Sequence, residues 1–248
     1  MKNWWKAIAV ILVLYAIVGG LLTDVPAMPI LNETIRNLYF HVTMWFAMMT
    51  LLIISGVYSI KFISGLKIED DIVASQAVNI GMLLGFLGLA TGMIWARFTW
   101  GAWWVSDPKL NGAAITMLAY MAYLILRNSM DDEYKRAKVA AVYNIFAFVM
   151  MIVFIWVLPR MEGVDSLHPG QGGNPGFDVY DLNSNMRLVF YPAIIGWTLL
   201  GVWILQIKIR MEKLQLKLIY GNDFGRQEGI NEGILDDNKL AKTIENED

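Results

Sequence analysis

Cysteine is absent from this 248-residue chain, which excludes disulfides, thiolate metal sites and cysteine nucleophiles. Charge is also scarce. Only 17% of the residues are charged, whereas 56% are hydrophobic and the mean hydropathy is +0.47. The apolar residues form long runs, and the short segments of alternating polarity that are typical of membrane β-barrels do not occur in the sequence. The composition predicts an all-α, polytopic membrane protein whose surroundings are a lipid bilayer, and nucleic acid is not an expected partner.

Six apolar runs approach or exceed the roughly 17–25 residues that a membrane-spanning helix needs. The first run follows Lys2 and Lys6 and also has the character of a signal peptide. We expect it to be a retained span, because 25–27 (Val-Pro-Ala) is a poor cleavage site and five spans would place the two ends on opposite sides. The six predicted spans are Ala7–Leu22, Leu38–Ile60, Gln76–Phe98, Leu110–Leu126, Val139–Leu158 and Leu188–Ile207.

The distribution of Lys and Arg predicts the orientation. Six spans place fifteen of the 20 cations on the side of both termini and five on the other side, so both termini should be cytoplasmic. The predicted organisation is a six-helix membrane domain over 1–208 and a polar cytoplasmic tail over 209–248. The domain carries a tryptophan-rich outer loop at about 99–109 and a long outer loop at 159–187.

The outer loop after the third span concentrates three indoles, at Trp100, Trp103 and Trp104. An interfacial aromatic belt explains their location but not their clustering, whereas Trp4, Trp5 and Trp156 fit such a belt. Their spacing of i, i+3 and i+4 predicts that all three lie on one helical face, as an apolar shelf for a planar cofactor. Asp107 and Pro108 follow, and they predict a helix N-cap and first turn at least as strongly as a direct cofactor contact.

The chain has two histidines, His41 at the start of the second span and His168 in the long outer loop. The predicted topology places both on the outer side. A lone histidine is most often an interfacial or hydrogen-bonded residue, but two imidazoles on one side can supply both axial ligands of a haem iron. A histidine–carboxylate metal site is the alternative. The outer carboxylates available to it are Asp24, Glu33, Asp107, Glu162, Asp165, Asp178 and Asp181.

Four arginines lie near the outer ends of the spans, against the general charge bias. They either extend to the interface or pair with carboxylates of a ligand, such as haem propionates. Arg36 is the favoured propionate partner because it precedes His41 by five residues, and Arg97 and Arg187 follow it. Arg160 is the fourth.

These residues resemble the WWD proteins of cytochrome c maturation, a family that includes CcmF and CcsA, and within it the haem exporter protein C (CcmC) family most closely. The pattern Trp-Gly-x-Trp-Trp-x-x-Asp at 100–107 is the most specific element, and 39–42 and 166–170 resemble the family's two histidine motifs. The resemblance covers about 21–207. Ser106, Thr43 and Pro169 depart from the usual residues at their positions.

The resemblance implies a haem-delivery protein of the bacterial inner membrane rather than an enzyme. Haem b would be held non-covalently at the periplasmic face, with His41 and His168 as axial ligands and the tryptophan loop against the ring. It would pass to a periplasmic haem chaperone like CcmE. A small membrane subunit like CcmD and an ATP-binding-cassette complex like CcmA and CcmB are the implied partners, and no Walker motif occurs in this chain.

Two other functions remain open from the residues alone. A cytochrome b-like electron-transfer subunit also uses paired histidines, but usually within facing helices. A permease without a cofactor would want polar residues at mid-membrane, and the spans carry few. The series Gly81, Gly85, Gly88 and Gly92 in the third span predicts close helix packing instead.

Overall fold

The computed structural model describes residues 3–27, 31–168 and 182–220, and this part of the chain is helical, with no β-strand. Six helices are long and apolar enough to cross a membrane, which confirms the predicted fold class. The helices are α1 (Trp4–Leu22), α2 (Leu38–Gly65), α3 (Ile68–Trp100), α4 (Pro108–Asn128), α5 (Glu133–Met151) and α6 (Ser184–Tyr220).

Two irregular helical segments lie next to these helices. A 3₁₀ helix, Asn32–Asn37, leads directly into α2. Helix α5 continues through a π-helix, Ile152–Val157, and a short 3₁₀ turn, Leu158–Arg160. Single π-helical turns within α-helices are frequently found at functional sites, and this one contributes to the cavity described below.

Helix boundaries follow local sequence signals. Asp107 caps α4, with Pro108 in the first helical position, as predicted, and Asp132 caps α5. Helix α3 starts eight residues before the predicted span because Glu69, Asp70 and Asp71 suit a helix N-terminus although they are not apolar. It ends at Trp100, where Gly101 takes a left-handed conformation with φ 77°.

Helices α2 and α3 form a closely packed antiparallel pair joined by two residues, and the four glycines of α3 permit the close approach. A Cβ on Gly81 would lie 3.1 Å from Leu52, and a Cβ on Gly88 would lie 3.1 Å from Trp45. At Gly85 the neighbours are the sulfur atoms of Met48 and Met117, each at 2.7 Å. The predicted packing role of these glycines is confirmed.

Polar contacts also join the helices inside the apolar region. Asn144 of α5 donates to the hydroxyls of Ser55 (2.6 Å) and Ser59 (2.7 Å) on α2. Arg127 of α4 makes two hydrogen bonds to the buried carboxylate of Asp71 on α3, at 2.8 and 2.6 Å. These contacts lie towards the ends of α2 and α3 that are remote from the tryptophan loop.

The chain divides into two compact units, Met1–Leu205 and Gln206–Asp248. The structure describes the second unit only over 206–220, the last part of α6. The predicted tail beyond 220 and residues 169–181 of the long outer loop lie outside the described residues.

Candidate functional site

A cavity lies at the end of the bundle where α2 begins and α3 ends. The start of α4, the end of the α5 extension and the tryptophan loop complete its wall. The space that it encloses, with the open mouth included, is about 1390 Å³. The wall is mostly apolar and contains six tryptophans, Trp45, Trp95, Trp100, Trp103, Trp104 and Trp156, together with His41 and His168.

His41 is held by the backbone of α3. Its Nδ1 lies 2.7 Å from the carbonyl oxygen of Gly88. Because a carbonyl only accepts, this contact assigns the proton of a neutral ring to Nδ1 and leaves Nε2 without one. Gly92 makes room for the ring, since a Cβ at that position would lie 2.5 Å from Cε1 of His41.

The tryptophan run is not a continuous helical face, so that prediction is wrong. Helix α3 ends at Trp100, the positive φ of Gly101 turns the chain, and residues 101–107 are non-helical. The guanidinium of Arg97 donates to the carbonyl of Gly101 and supports this turn. Trp100, Trp103 and Trp104 nevertheless all line the cavity, because the loop folds over its mouth. Trp103 is 55% exposed and Trp104 is 37% exposed.

Trp100 packs between a second tryptophan and a histidine. The ring centroids of Trp100 and Trp95 are 5.0 Å apart, and those of Trp100 and His168 are also 5.0 Å apart, both in edge-to-face arrangements. Sequence reasoning missed Trp95. The signal was its spacing, since Gly88, Gly92 and Trp95 recur at i, i+4 and i+7 and therefore share one face of α3.

Asp107 joins the tryptophan loop to the segment that carries His168. Its Oδ1 accepts from the backbone N–H groups of Lys109 (2.8 Å) and Leu110 (3.3 Å), which forms the N-cap of α4. Its Oδ2 accepts from the hydroxyl of Ser166 (2.9 Å) and the N–H of Leu167 (2.7 Å). The predicted cap is confirmed, and Asp107 is not part of the cavity wall.

The same carboxylate faces His168. Nδ1 of His168 lies 3.3 Å from Oδ1 of Asp107, at an angle outside that of a well-aligned hydrogen bond, and the described residues offer this buried nitrogen no other partner. Burial would raise the pKa of Asp107, but His168, the Leu167 N–H and the Ser166 hydroxyl outweigh burial and hold that pKa well below its usual range. Asp107 is therefore a carboxylate at neutral pH.

The two imidazoles thus share one arrangement. Each ring lines the cavity and turns Nδ1 towards an oxygen of the protein, Gly88 in one case and Asp107 in the other. Histidines that ligate metals usually hold their second nitrogen by a hydrogen bond, which His41 has and which His168 lacks among the described residues. Two imidazoles on one cavity wall are nevertheless a suitable donor set for a haem iron. The alternative histidine–carboxylate site finds no support in the described ranges, where no group of three potential ligands occurs, although Asp178 and Asp181 lie outside them.

The three arginines predicted to bind carboxylates do not line the cavity. Arg36 donates to Glu33 (2.5 Å) and to the carbonyls of Gly20 and Thr23 at the end of α1. Arg97 supports the turn at Gly101, and the Nε of Arg187 donates to the carbonyl of Leu182 at 3.0 Å.

Arg160 and Lys109 are the cationic side chains of the cavity wall. The guanidinium of Arg160 donates to the carbonyls of Ile155 (3.3 Å) and Trp156 (2.5 Å) and lies 4.9 Å from the centroid of the Trp156 ring. Trp156 donates in turn to the sulfur of Met49 at 3.1 Å. Trp156 therefore belongs to the cavity wall, whereas its position in the sequence predicts only a place in an aromatic belt.

Comparison with known proteins identifies the family and several relatives of this chain. The chain matches the model of the family CcmC, "Heme exporter protein C", over residues 1–219. It is 29% identical to the Heme exporter protein C of Haemophilus influenzae over 136 residues, 55% of this chain and 54% of the relative. It is 31% identical to the protein of the same name from Bradyrhizobium diazoefficiens over 118 residues, 46% of this chain and 43% of the relative.

A second group of relatives matches over a shorter stretch. The cytochrome c biogenesis protein CcsA of Prochlorococcus marinus subsp. pastoris is 39% identical over 89 residues, 36% of this chain and 28% of the relative. The matches thus span about half the length of the haem exporter relatives and less of CcsA. The family model covers far more than half of this chain, and the chain belongs to the haem exporter protein C family.

Proposed function

We propose that this protein handles haem for cytochrome c biogenesis by holding it in the cavity beneath the tryptophan loop. One observation carries the proposal. The two histidines of the chain and the three indoles of the loop come from three separate segments, and they line a single cavity. The relatives named for haem export and cytochrome c biogenesis support the same role.

Haem b is the proposed cargo, bound without a covalent link to this chain. His41 and His168 would each offer Nε2 to the iron, because Nδ1 of each ring faces a protein oxygen. The six tryptophans would surround the porphyrin, and Trp103 and Trp104 lie where the cavity opens. The haem would supply the chemistry of its own transfer, and the protein would orient the haem and exclude water from it.

The partially exposed loop supports a hand-off at the cavity mouth. A chaperone like CcmE would receive the haem there, from a site that leaves part of the ligand accessible. A small membrane subunit like CcmD and an ATP-binding-cassette complex like CcmA and CcmB complete the proposed assembly. The proposed location is the bacterial inner membrane. The distribution of Lys and Arg supports cytoplasmic termini and a cavity at the periplasmic face.

Arg160, aided by Lys109, is the proposed partner of the haem propionates in place of Arg36, Arg97 and Arg187. It lies in the cavity wall and is stacked on Trp156, whereas the other three are not part of that wall. A guanidinium binds carboxylates in a fixed, planar geometry, which would set the orientation of the porphyrin.

An absorption spectrum of the purified protein tests the proposal. The wild type should show a Soret band, and His41→Ala and His168→Ala should each lose or shift it at unchanged expression. Trp4→Leu is the control, because Trp4 is exposed at the start of α1 and is not part of the cavity wall. If neither the purified nor the haem-reconstituted wild type bound haem, or if both histidine variants kept the wild-type band, the proposed function would be wrong.

A further inference from the structure

We propose that Asp107 is a positioning residue for His168, and that it makes the two axial histidines unequal, with His168 the stronger electron donor. The inference rests on the proposed haem site. Because the carboxylate of Asp107 does not line the cavity, Asp107 would act on the haem only through His168.

Asp107 is buried and bonded on both sides of its carboxylate. Its side chain is almost fully buried, at 1% exposure, and both oxygens accept hydrogen bonds. Oδ1 caps α4, while Oδ2 binds the hydroxyl of Ser166 and the N–H of Leu167, about sixty positions further along the chain. Ser166 in turn accepts from the backbone N–H of His168 at 3.2 Å. The carboxylate therefore holds the backbone on which His168 is carried.

The oxygens that face the two histidine rings differ in charge. His41 faces the backbone carbonyl of Gly88, a neutral acceptor, at 2.7 Å. His168 faces a buried carboxylate at 3.3 Å, and the described residues give its Nδ1 no other partner. The Asp107 carboxylate is not aligned for a hydrogen bond with this nitrogen, but its negative charge lies 3.3 Å from Nδ1. A charge at that distance polarises the ring more than a neutral amide carbonyl does, and this increases the basicity of the other ring nitrogen.

The electronic consequence follows from ligand chemistry. A more basic imidazole stabilises ferric iron more than ferrous iron, so Asp107 should lower the reduction potential of haem held by His168. The Gly88 carbonyl gives His41 no comparable effect. The geometry also makes the tryptophan loop and His168 one unit, because the residue that ends the loop is the one that holds the histidine.

The experiment compares the haem-loaded wild type with Asp107→Asn. Asparagine caps helices about as well as aspartate, so its oxygen should keep the start of α4 while the charge at His168 is lost. Its NH2 group cannot accept from Ser166 and Leu167 as Oδ2 of Asp107 does. We expect bis-histidine haem to remain. Ferric haem should bind about tenfold more weakly while ferrous binding changes little. That ratio corresponds to a rise of ~59 mV in the reduction potential for a one-electron couple.

Asp132→Asn is the matched control, because Asp132 caps α5 in the same way and lies outside the cavity wall. It should leave the potential unchanged. Asp107→Ser is a second variant that keeps a good N-cap residue but is too short to reach the ring, and it should shift the potential in the same direction. An unchanged potential in a folded, haem-loaded Asp107→Asn or Asp107→Ser variant would overturn the inference and leave the haem site intact. A wild type that binds no haem would instead overturn the site and the inference together.

Discussion

At the scale of single residues, the site depends on small groups that make space or supply oxygens. Gly92 is the clearest case, because the ring of His41 occupies the volume that any larger side chain would need. The carbonyl of Gly88 then fixes the ring by its Nδ1. The His41 side chain thus has one orientation, determined by backbone atoms of the neighbouring helix.

We expect Gly92→Ala to displace His41 and lower haem occupancy. A Cβ 2.5 Å from Cε1 cannot be accommodated without movement of the ring, and overpacking of this kind costs about 1–3 kcal/mol. The measurement is the Soret band per protein, together with the temperature of unfolding. Gly65→Ala is the control, because a Cβ there would meet its nearest neighbour at 3.9 Å. Full haem occupancy in Gly92→Ala would contradict the proposed position of the His41 ring against Gly92.

Some residues of the site could be identified from the sequence, and others could not. The two histidines and three loop tryptophans were identifiable because their types are rare or clustered, and the structure places all five on one cavity. Arg160 was not singled out, because closeness to His41 along the chain favoured Arg36, which instead holds the end of α1. The contact between Asp107 and the segment of His168 is long-range, and no local pattern in the sequence predicts it.

At the scale of helices, hydropathy predicted where each span lies but not where each helix ends. Helix α3 extends beyond its apolar run at the acidic end, since Asp71 is neutralised by Arg127 of α4. At its other end, one glycine in a left-handed conformation stops the helix and turns Trp103 and Trp104 into a loop. The spacing of the tryptophans could not predict this turn, because helical periodicity assumes that the helix continues.

The ion pair between Asp71 and Arg127 should be important for stability and not for haem binding. Both side chains are largely buried, so Asp71→Asn would leave the guanidinium without its carboxylate and should cost about 3–5 kcal/mol. The double variant Asp71→Leu, Arg127→Met should recover much of this loss, because it leaves no unpaired charge. Thermal unfolding of both variants checks the expectation. A double variant less stable than Asp71→Asn would contradict it, and the Soret band of folded protein should not change.

At the scale of the whole molecule, six crossings bring three distant segments to one end of the bundle. The start of α2, the loop after α3 and the segment after the α5 extension follow one, three and five spans, and an odd number of spans in each case places them at the same end. The sequence predicted this shared end from the count of spans. The residues alone did not predict that the segments meet in one cavity, because that depends on how the helices pack, and only the family resemblance implied a shared haem site.

The absence of cysteine allows a direct test of orientation. Ser106, in the tryptophan loop, and Ser129, after α4, are both exposed and lie on opposite ends of the same helix. In intact spheroplasts, a membrane-impermeant maleimide should label Ser106→Cys but label Ser129→Cys only after lysis. The reverse pattern would show that the cavity faces the cytoplasm and would contradict the orientation that the charge distribution predicts.

The central claim is that His41 and His168 together ligate the iron of a bound haem. Its most direct test is the electron paramagnetic resonance spectrum of ferric haem in the wild type, His41→Gly and His168→Gly, each recorded with and without added imidazole. We predict a low-spin bis-imidazole signal in the wild type, its loss in each variant, and its recovery when imidazole fills the space of the deleted side chain. Retention of the wild-type signal in both variants without imidazole would contradict the claim.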